Sequence, residues 1–498
     1  MLITDTQLLF YQRCPRRAFL DYYGDFQQQQ PPSDFLLKLT QDSVAHRRSL
    51  LAEISYHRPQ YPRGDWEAGM KATLELMKQG VDRICQGVLL WQPRDLQQID
   101  ITDQLGTITL KSCPDLLVKQ PGTSQFGDWM YVPVEIKLGK RPKLDYQIGV
   151  TFHAYILGAI QGVIPAKAEL ILRQKGSYFV NLKQRLPQMQ QILLEYVEIL
   201  GHQEEPEIFM ARQKCGLCTW YNSCYAIAQA QNHLSLLPGV TPSRYTRLQT
   251  LNLTTVETLA QTSPHQLESY PEFGAEVAQQ LIQQAQVTWQ NQPSLRPGVS
   301  PTGFNLSGLN LPENAPIELY FDIEAQPDLN LDYLHGVLVV DYRNQTETFY
   351  PFLAENQAEE QRIWQQFLEL VWSYPISPIY HFCDYEAKTV KRLANLYQTP
   401  SYLWKPLLNR FVDIHYQVTQ TVFLPVESYA LKSIARWLGF QWRDPEANGA
   451  QSVCWYEQWL NTGDRSRIDA IIQYNEDDCR ATYHVKNWLT QFLRQSQF

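Results

Sequence analysis

The sequence contains no run of about 18 apolar residues, the length that a helix needs to cross a bilayer. Its best candidate, AYILGAIQGVI at 154–164, is interrupted by Gln161. The first residues, MLITDTQLLFYQRC, lack the basic region, apolar core and cleavage site of a secretory signal. We therefore expect a cytoplasmic protein that does not act at a membrane.

A surplus of positive charge is also missing. Lys and Arg number 43 against 51 Asp and Glu, which gives a formal net charge of -8. A surface that coats nucleic acid without specificity needs Lys and Arg in local excess, so this balance disfavours such a coat. It does not disfavour a nuclease, because the metal sites of nucleases are built from carboxylates.

The length and the cysteine count set further bounds. A chain of 498 residues is long enough for two or three domains with their own cores. Its nine cysteines are an odd number. In a chain without a secretory signal, they indicate metal or redox chemistry before disulfides.

A strand pattern with two charged residues occupies 131–138, YVPVEIKL. Glu135 and Lys137 alternate with apolar residues, so both side chains leave the same face of the strand. Asp115 precedes another apolar segment and would meet them if the two segments pair. Two carboxylates can hold a divalent cation beside an ammonium that orients water, which indicates a phosphodiesterase site. An ordinary surface Glu/Lys pair is the alternative.

The sequence PD at 114–115 followed by EIK at 135–137 resembles the PD-(D/E)XK nucleases, in particular their RecB-like branch. His46, in SVAHRRSLL, and Gln147, at the start of QIGVTFHAYIL, are also similar to motif positions of that branch. The resemblance implies a restriction-endonuclease-like mixed sheet flanked by helices. Helical patterns at 65–86 and near 187–201 agree with such a fold.

The same resemblance implies roles for five residues. Asp115 and Glu135 would bind Mg²⁺ or Mn²⁺, with His46 as an accessory metal ligand. Lys137 would assist the attacking water, and Gln147 would belong to the catalytic motif together with a following aromatic residue.

Cys215, Cys218 and Cys224 form a CxxC motif followed, after five residues, by a third cysteine. Three thiolates this close can hold one soft metal centre from a single loop, and the fourth ligand must come from elsewhere. Cys14 is the obvious donor. Zinc is the general expectation for four cysteines, because tetrahedral thiolate sites are common structural devices. Unligated core thiols are the remaining alternative.

The CPRRAF sequence around Cys14, combined with the later cysteine motif, is similar to the iron-sulfur centre of RecB-like nucleases, including the CRISPR-associated exonucleases. This resemblance implies a 4Fe-4S cluster, in preference to zinc, with thiolate ligands from Cys14, Cys215, Cys218 and Cys224. Either metal centre would join the two ends of the first domain.

The segment 231–290 contains two helical halves, each with a short glycine turn, at Gly239 or Gly274. It resembles a pair of helix-hairpin-helix units, whose turns expose backbone N–H groups that can hold a phosphate without reading sequence. A helical spacer between domains is the alternative. Four prolines in 291–315 indicate a linker.

The last third begins with the strand pattern IELYFDIE at 317–324, which ends in Asp322 and Glu324 on one face. Strand patterns follow at LHGVLVVDY, TETFYPFL and PIYHF, with a helical pattern before the last of them. In a long helical pattern near the end, Tyr474 and Asp478 lie one turn apart on the same side.

These features resemble the DEDD exonucleases of the ribonuclease-H-like superfamily, in the form that has a tyrosine. The resemblance covers about 315–495. It implies that Asp322, Glu324 and Asp478 coordinate two divalent cations, and that Tyr474 positions the attacking water.

The fourth acid of that family lies at a strand-to-helix junction, where this sequence offers Asp384 and Glu386. Glu386 is favoured, because the apolar Val390 four positions later matches the spacing of the family. A glutamate there reaches farther than the usual aspartate, and would alter the spacing of the metals.

The sequence therefore predicts a multidomain α/β protein with a PD-(D/E)XK domain at 1–230, a helix-hairpin-helix-like domain at 231–290, a linker at 291–315 and a ribonuclease-H-like domain at 316–498. Its predicted function is that of a metal-dependent nuclease, a DNA exonuclease acting on single strands or ends, with RNA as another possible substrate. A non-catalytic nucleic-acid-binding or scaffold protein with one or both sites decayed is the alternative.

Overall fold

The computed structural model describes residues 1–93, 106–174, 176–299 and 315–496. The chain divides into two compact units, Met1–Ile227 and Ala228–Phe498. Most of the predicted linker, residues 300–314, lies outside the described residues. None of the described helices is both long and apolar enough to cross a bilayer.

The described helices and strands follow in chain order. The helices are α1 (Asp5–Arg13), α2 (Pro15–Tyr23), α3 (Asp34–Ala52), α4 (Trp66–Lys78), α5 (Leu144–Gln161), α6 (Leu182–His202), α7 (Arg212–Cys215), α8 (Tyr221–Ala230), α9 (Pro242–Thr250), α10 (Val256–Ala260), α11 (Pro264–Glu268), α12 (Gly274–Gln290), α13 (Glu360–Ser373), α14 (Tyr385–Leu396), α15 (Ser401–Leu408), α16 (Ile414–Thr421), α17 (Leu431–Trp437), α18 (Gly449–Thr462) and α19 (Arg465–Gln495). The strands are β1 (Leu2–Thr4), β2 (Arg83–Cys85), β3 (Leu89–Trp91), β4 (Thr109–Ser112), β5 (Leu116–Ser124), β6 (Gly127–Lys137), β7 (Lys167–Leu172), β8 (Gly176–Asn181), β9 (Ser294–Leu295), β10 (Ile317–Gln326), β11 (Leu331–Asp341), β12 (Thr346–Leu353), β13 (Ile379–His381), β14 (Phe411–Asp413) and β15 (Val422–Phe423).

The first unit is built on a five-stranded mixed sheet with the order β2-β5-β6-β7-β8. Strand β6 is antiparallel to β5 and parallel to β7. The apolar helix α5 makes the crossover between β6 and β7, and most of its residues are buried. A smaller sheet, β1-β4-β3, packs into the same core through Ile3, Leu89 and Leu110.

Two predicted helices of this unit have different ends in the structure. The pattern at 65–86 predicts one helix, but α4 ends at Lys78 and residues 83–85 form β2. Gly80, with a φ of +65°, ends the helical path because it adopts the left-handed conformation without a Cβ clash. The helix predicted near 187–201 begins earlier, at Leu182, where the Asn181 side chain accepts a hydrogen bond from the Gln184 N–H.

The second unit contains a five-stranded sheet with the order β12-β11-β10-β13-β14. The first three strands are antiparallel, whereas β13 and β14 run parallel to β10. Along β10, Leu319, Phe321 and Ile323 pack in the core that contains Trp364 and Phe367 of α13. Because successive side chains alternate, Asp322 and Glu324 share the opposite face with Tyr320, which packs with residues of α19.

Residues 231–290 form α9–α12 and belong to the second unit. Gly239 and Gly274 both have positive φ, +92° and +67°, as glycine turns require. Gln284 of α12 donates to the Leu424 carbonyl at 2.7 Å and accepts from the Tyr429 hydroxyl at 2.8 Å. Strand β9 pairs with β15. The helical segment is therefore tied to the sheet region by polar contacts.

His335, on β11, is fully buried, and neither ring nitrogen has a hydrogen-bond partner in the described part of the chain. The ring lies edge-on to Phe321 and Phe367. Burial lowers the pKa of His335 to about 3; Glu360 opposes this shift and Arg392 adds to it. The folded protein thus holds a neutral imidazole that the unfolded chain would protonate more easily.

We predict that His335→Leu makes the second unit less sensitive to acid. Since the folded pKa lies below the unfolded value of 6.5, stability is lost as the pH falls from 6.5 towards 3. At pH 5 the loss due to this residue is about 2 kcal/mol. The free energy of unfolding, measured with denaturant at pH 7.5 and at pH 5.0, should fall by about 2 kcal/mol less in the variant than in the wild type. An equal fall in both proteins would contradict the prediction.

Candidate functional site

Three carboxylates converge in the second unit. Asp322 and Glu324 leave β10 on one face, and Asp478 projects from α19. One ligand atom from each lies within 4.8 Å of the others. Two are buried and Asp322 keeps partial exposure, so the group combines a low-dielectric setting with access from one side.

The electrostatics of this acidic cluster, Asp322, Glu324 and Asp478, are unfavourable without a cation. Burial raises the pKa of Glu324 to about 8, and repulsion from Asp478 adds to the shift. Burial also raises the pKa of Asp478 to about 6 and that of Asp322 well above its ordinary value. Crowded carboxylates with raised pKa values are stabilised in their charged form by a bound divalent cation, and oxygen donors are the ligands that Mg²⁺ and Mn²⁺ prefer.

Neighbouring donors orient the cluster. Asn475, next to Tyr474 on α19, donates from Nδ2 to Asp322 Oδ2 at 2.6 Å. Trp442 donates from Nε1 to Asp478 Oδ1 at 2.7 Å. A Cβ at Gly336 would lie 1.7 Å from Asn475 Oδ1, so only glycine permits this approach. No motif in the sequence pointed to Asn475 or Trp442.

Tyr474 lies beside the cluster and is hydrogen-bonded to Asp478. Burial and the nearby carboxylates raise the pKa of Tyr474 well above its ordinary value, so its hydroxyl stays protonated and can donate. Lys432 places its Nζ 5.1 Å from the centre of the Tyr474 ring and 5.3 Å from that of Trp442. The Lys432 ammonium group therefore lies next to the Tyr474 ring.

The two junction acids point in different directions. The Asp384 side chain is 68% exposed and pairs with Lys388. Glu386 is 3% exposed, and its charge contributes to the raised pKa of Asp322. The structure thus brings Glu386 near the acidic cluster and leaves Asp384 in solvent.

The first unit places Asp115 beside Glu135. The antiparallel register pairs Leu116 with Val134, so the residues before and after this pair are neighbours. Asp115 Oδ2 accepts from the Ile136 N–H at 2.8 Å. Lys137 Nζ lies 2.6 Å from Glu135 Oε2. The three predicted residues of this site, Asp115, Glu135 and Lys137, are therefore adjacent.

Two partners of these acids were not predicted from the sequence. His153 of α5 donates from Nε2 to Glu135 Oε1 at 2.8 Å, and its Nδ1 lies 2.6 Å from the Ser112 hydroxyl. Arg47 Nε lies 2.8 Å from Asp115 Oδ1. One feature of the sequence could have pointed to His153, because it is a titratable residue inside an apolar helix. Nothing in the local sequence distinguishes Arg47 from its basic neighbour.

These contacts shift the pKa values of the two carboxyl groups in opposite directions. Burial raises the pKa of Asp115 to about 6, and the Glu135 charge adds to this shift while Arg47 opposes it. For Glu135, burial acts in the same direction, but Lys137 and His153 outweigh it and hold the pKa below its ordinary value. A charged carboxylate thus stands beside one that protonates more easily.

His46 and Gln147 lie apart from these contacts. His46, on α3, is partly exposed, and its helix neighbour Arg47 is the residue that reaches Asp115. Gln147 donates to the Pro142 carbonyl at 2.8 Å and accepts from Arg185 Nε at 2.9 Å. Among the described residues, the acidic cluster of the second unit is the one group of three metal-ligand atoms within 4.8 Å, and it does not include His46.

Four cysteines of the first unit line one pocket: Cys14, Cys215, Cys218 and Cys224. Apolar residues, including Ile208, Met210 and Trp220, form part of its wall. Cys14 caps α2, and its sulfur accepts from the Arg17 N–H at 3.4 Å. Burial raises the pKa of the Cys215 thiol to about 11, and the other three cysteines contribute to the shift. Charged thiolates here need a compensating cation.

Comparison with known families bears on the last third of the chain. A model described as the RNase H superfamily matches residues 319–490. No curated protein matches the chain. The prediction of a ribonuclease-H-like domain in the last third is therefore confirmed, and the family match indicates a nuclease-type or nucleic-acid-related function. The RecB-like and iron-sulfur assignments of the first unit stay predictions.

We predict that Glu386→Gln weakens Mn²⁺ binding to the acidic cluster and that Asp384→Asn does not. Both changes remove one negative charge while keeping the side-chain shape, but only Glu386 faces the cluster. The expected loss of affinity for Glu386→Gln is at least about tenfold, the size of effect that loss of an outer partner already produces. Titration calorimetry measures it, with Glu135→Gln present in both proteins to suppress binding in the first unit. A larger loss in Asp384→Asn would reverse the assignment.

Proposed function

We propose that this protein is a metal-dependent nuclease with two phosphodiesterase sites, and that it acts as a DNA exonuclease on single strands or ends. The observation that carries the proposal is the acidic cluster of Asp322, Glu324 and Asp478 within an RNase H-like domain. Clustered carboxylates that share one face of a sheet and one helix are the donor set of hydrolytic metal sites.

In the second unit, Asp322, Glu324, Asp478 and Glu386 would hold Mg²⁺ or Mn²⁺. Such ions, when bound, polarise the phosphodiester, stabilise its developing charge and make water a better nucleophile. The protonated Tyr474 hydroxyl orients a water next to the cluster. Asn475 and Trp442 fix the carboxylate oxygens through the contacts at 2.6 and 2.7 Å.

In the first unit, Asp115 and Glu135 would hold one divalent cation beside Lys137. His153 occupies one oxygen of Glu135, and Lys137 lies against the other. The Lys137 ammonium both orients the attacking water and balances phosphate charge. His46 would be an accessory ligand and Gln147 a residue of the catalytic motif, as the RecB-like resemblance implies.

For the cysteine pocket we propose a 4Fe-4S cluster rather than zinc. The preference rests on the similarity of the CPRRAF sequence around Cys14 and of the later cysteine motif to the iron-sulfur centre of RecB-like nucleases. An iron-sulfur cluster spreads its thiolate ligands over several irons, and the apolar wall would protect it from solvent.

Cleavage of labelled DNA and RNA, single- and double-stranded, with Mg²⁺, Mn²⁺ or EDTA tests the proposal. We predict metal-dependent hydrolysis of DNA. Asp322→Asn and Glu135→Gln should each remove one separable activity, because several kcal/mol of transition-state stabilisation are lost, about a hundredfold or more in rate.

The matched controls for this assay are Asp384→Asn and Lys388→Gln, which change charge on an exposed pair near the second site. Both should cut as the wild type does. A wild-type protein that binds nucleic acid but cuts nothing with either metal would establish the non-catalytic alternative. If the protein hydrolyses only RNA, the proposed substrate is wrong and RNA replaces DNA.

We predict that protein purified without oxygen is brown and absorbs visible light, and that Cys218→Ser loses this absorbance because one thiolate ligand is missing. Cys113→Ser is the control, since Cys113 lies outside the cysteine pocket. Iron and zinc analysis of both variants accompanies the spectra. A colourless preparation with one zinc per chain would refute the iron-sulfur assignment.

A further inference from the structure

The loop between β13 and α14 has an unusual backbone. Cys383 adopts a φ of +74°, a left-handed conformation that residues with a Cβ rarely take. Asp384 ends this loop, and Glu386 lies in the first turn of α14. With the chain turned at Cys383, Asp384 faces solvent and Glu386 is buried. The direction of the acids is thus linked to one disfavoured dihedral angle.

Asp413, the last residue of β14, holds this turn. Its Oδ1 accepts from the Cys383 N–H at 3.0 Å and from the Tyr416 N–H at 3.1 Å. Strands β13 and β14 are parallel, with His381 opposite Asp413, which brings the carboxylate under the loop. One oxygen therefore joins the turn to the start of α16.

His381 adds a second contact inside the loop. Its Nδ1 lies 2.5 Å from the Cys383 carbonyl oxygen and 3.5 Å from Glu386 Oε2. Glu386 Oε2 is buried and makes no hydrogen bond within the described part of the chain. The neighbour of this oxygen, His381, is itself bound to the Cys383 carbonyl, so the position of the Glu386 carboxylate is linked to the turn.

We propose that Asp413 is a positioning residue of the second site, which keeps Glu386 beside the acidic cluster by holding the turn at Cys383. The inference rests on the proposed function, in which Glu386 is a metal ligand. One oxygen of Asp413 accepts hydrogen bonds from two backbone N–H groups. Asp413 therefore affects metal binding through the loop.

The test is Mn²⁺ titration calorimetry of the full chain carrying Glu135→Gln. Asp413→Ala removes the acceptor, so the turn relaxes and Mn²⁺ affinity falls about tenfold or more, as with other outer partners of metal ligands. Asp413→Asn keeps a carbonyl oxygen that can accept both N–H groups, and it retains most of the affinity. A merely structural role would change thermal unfolding in Asp413→Ala without this difference in metal affinity.

Cys383→Val provides a second variant with Asp413 intact. A β-branched side chain disfavours positive φ, so the same turn is destabilised and Mn²⁺ affinity falls as in Asp413→Ala. Unchanged affinity in both Asp413→Ala and Cys383→Val would overturn the inference. An equal loss in Asp413→Ala and Asp413→Asn would also overturn it, because it would show that the Asp413 charge binds metal directly.

Glu386→Gln separates this inference from the proposed function. If Glu386→Gln binds Mn²⁺ as the wild type does, Glu386 is no ligand, and the fourth position of the proposed site is wrong. If Glu386→Gln binds weakly while Asp413→Ala binds normally, the site stands and only the positioning role of Asp413 fails.

Discussion

The repulsion among buried carboxylates is the constraint on which the second unit depends. Alternation along β10 directs Asp322 and Glu324 to the face that meets α19, and Asp478 arrives there from the helix. Such a group is tolerated when hydrogen-bond donors, protonation or a cation balance its charge. Asn475 and Trp442 supply part of this balance, and the lack of a side chain at Gly336 makes room for one of them.

In the first unit, basic side chains balance the negative charge of two neighbouring carboxylates. Asp115 and Glu135 meet across an antiparallel pair, and each is matched by a basic group, Arg47 for the first and Lys137 for the second. His153 then adds a buried hydrogen bond from the crossover helix. The first site thus carries fixed positive charge of its own, whereas the acidic cluster leaves more negative charge for metal ions to neutralise.

Much of this arrangement was predictable because it follows from strand periodicity. The pattern of IELYFDIE places Asp322 and Glu324 on one face, and the spacing of Tyr474 and Asp478 places them on one side of a helix. Periodicity does not give the bond that Asn475 makes, because its partner lies 153 positions away. It also misplaced the end of α4, where the left-handed Gly80 outweighed an amphipathic pattern that continued beyond it.

The sequence by itself determined the residue types of each candidate site, the face of each strand or helix that bears them, and the presence of a ribonuclease-H-like domain. Local geometry suffices for the faces, since side-chain direction repeats with the backbone, whereas the ribonuclease-H-like domain followed from the resemblance of its motifs to that family. Only the tertiary structure decided which distant groups meet: His153 binds Glu135, Asp413 holds the turn at Cys383, and Glu386 rather than Asp384 is buried near the acids. Those contacts depend on the packing of distant segments and on one strained dihedral angle, which no local pattern encodes.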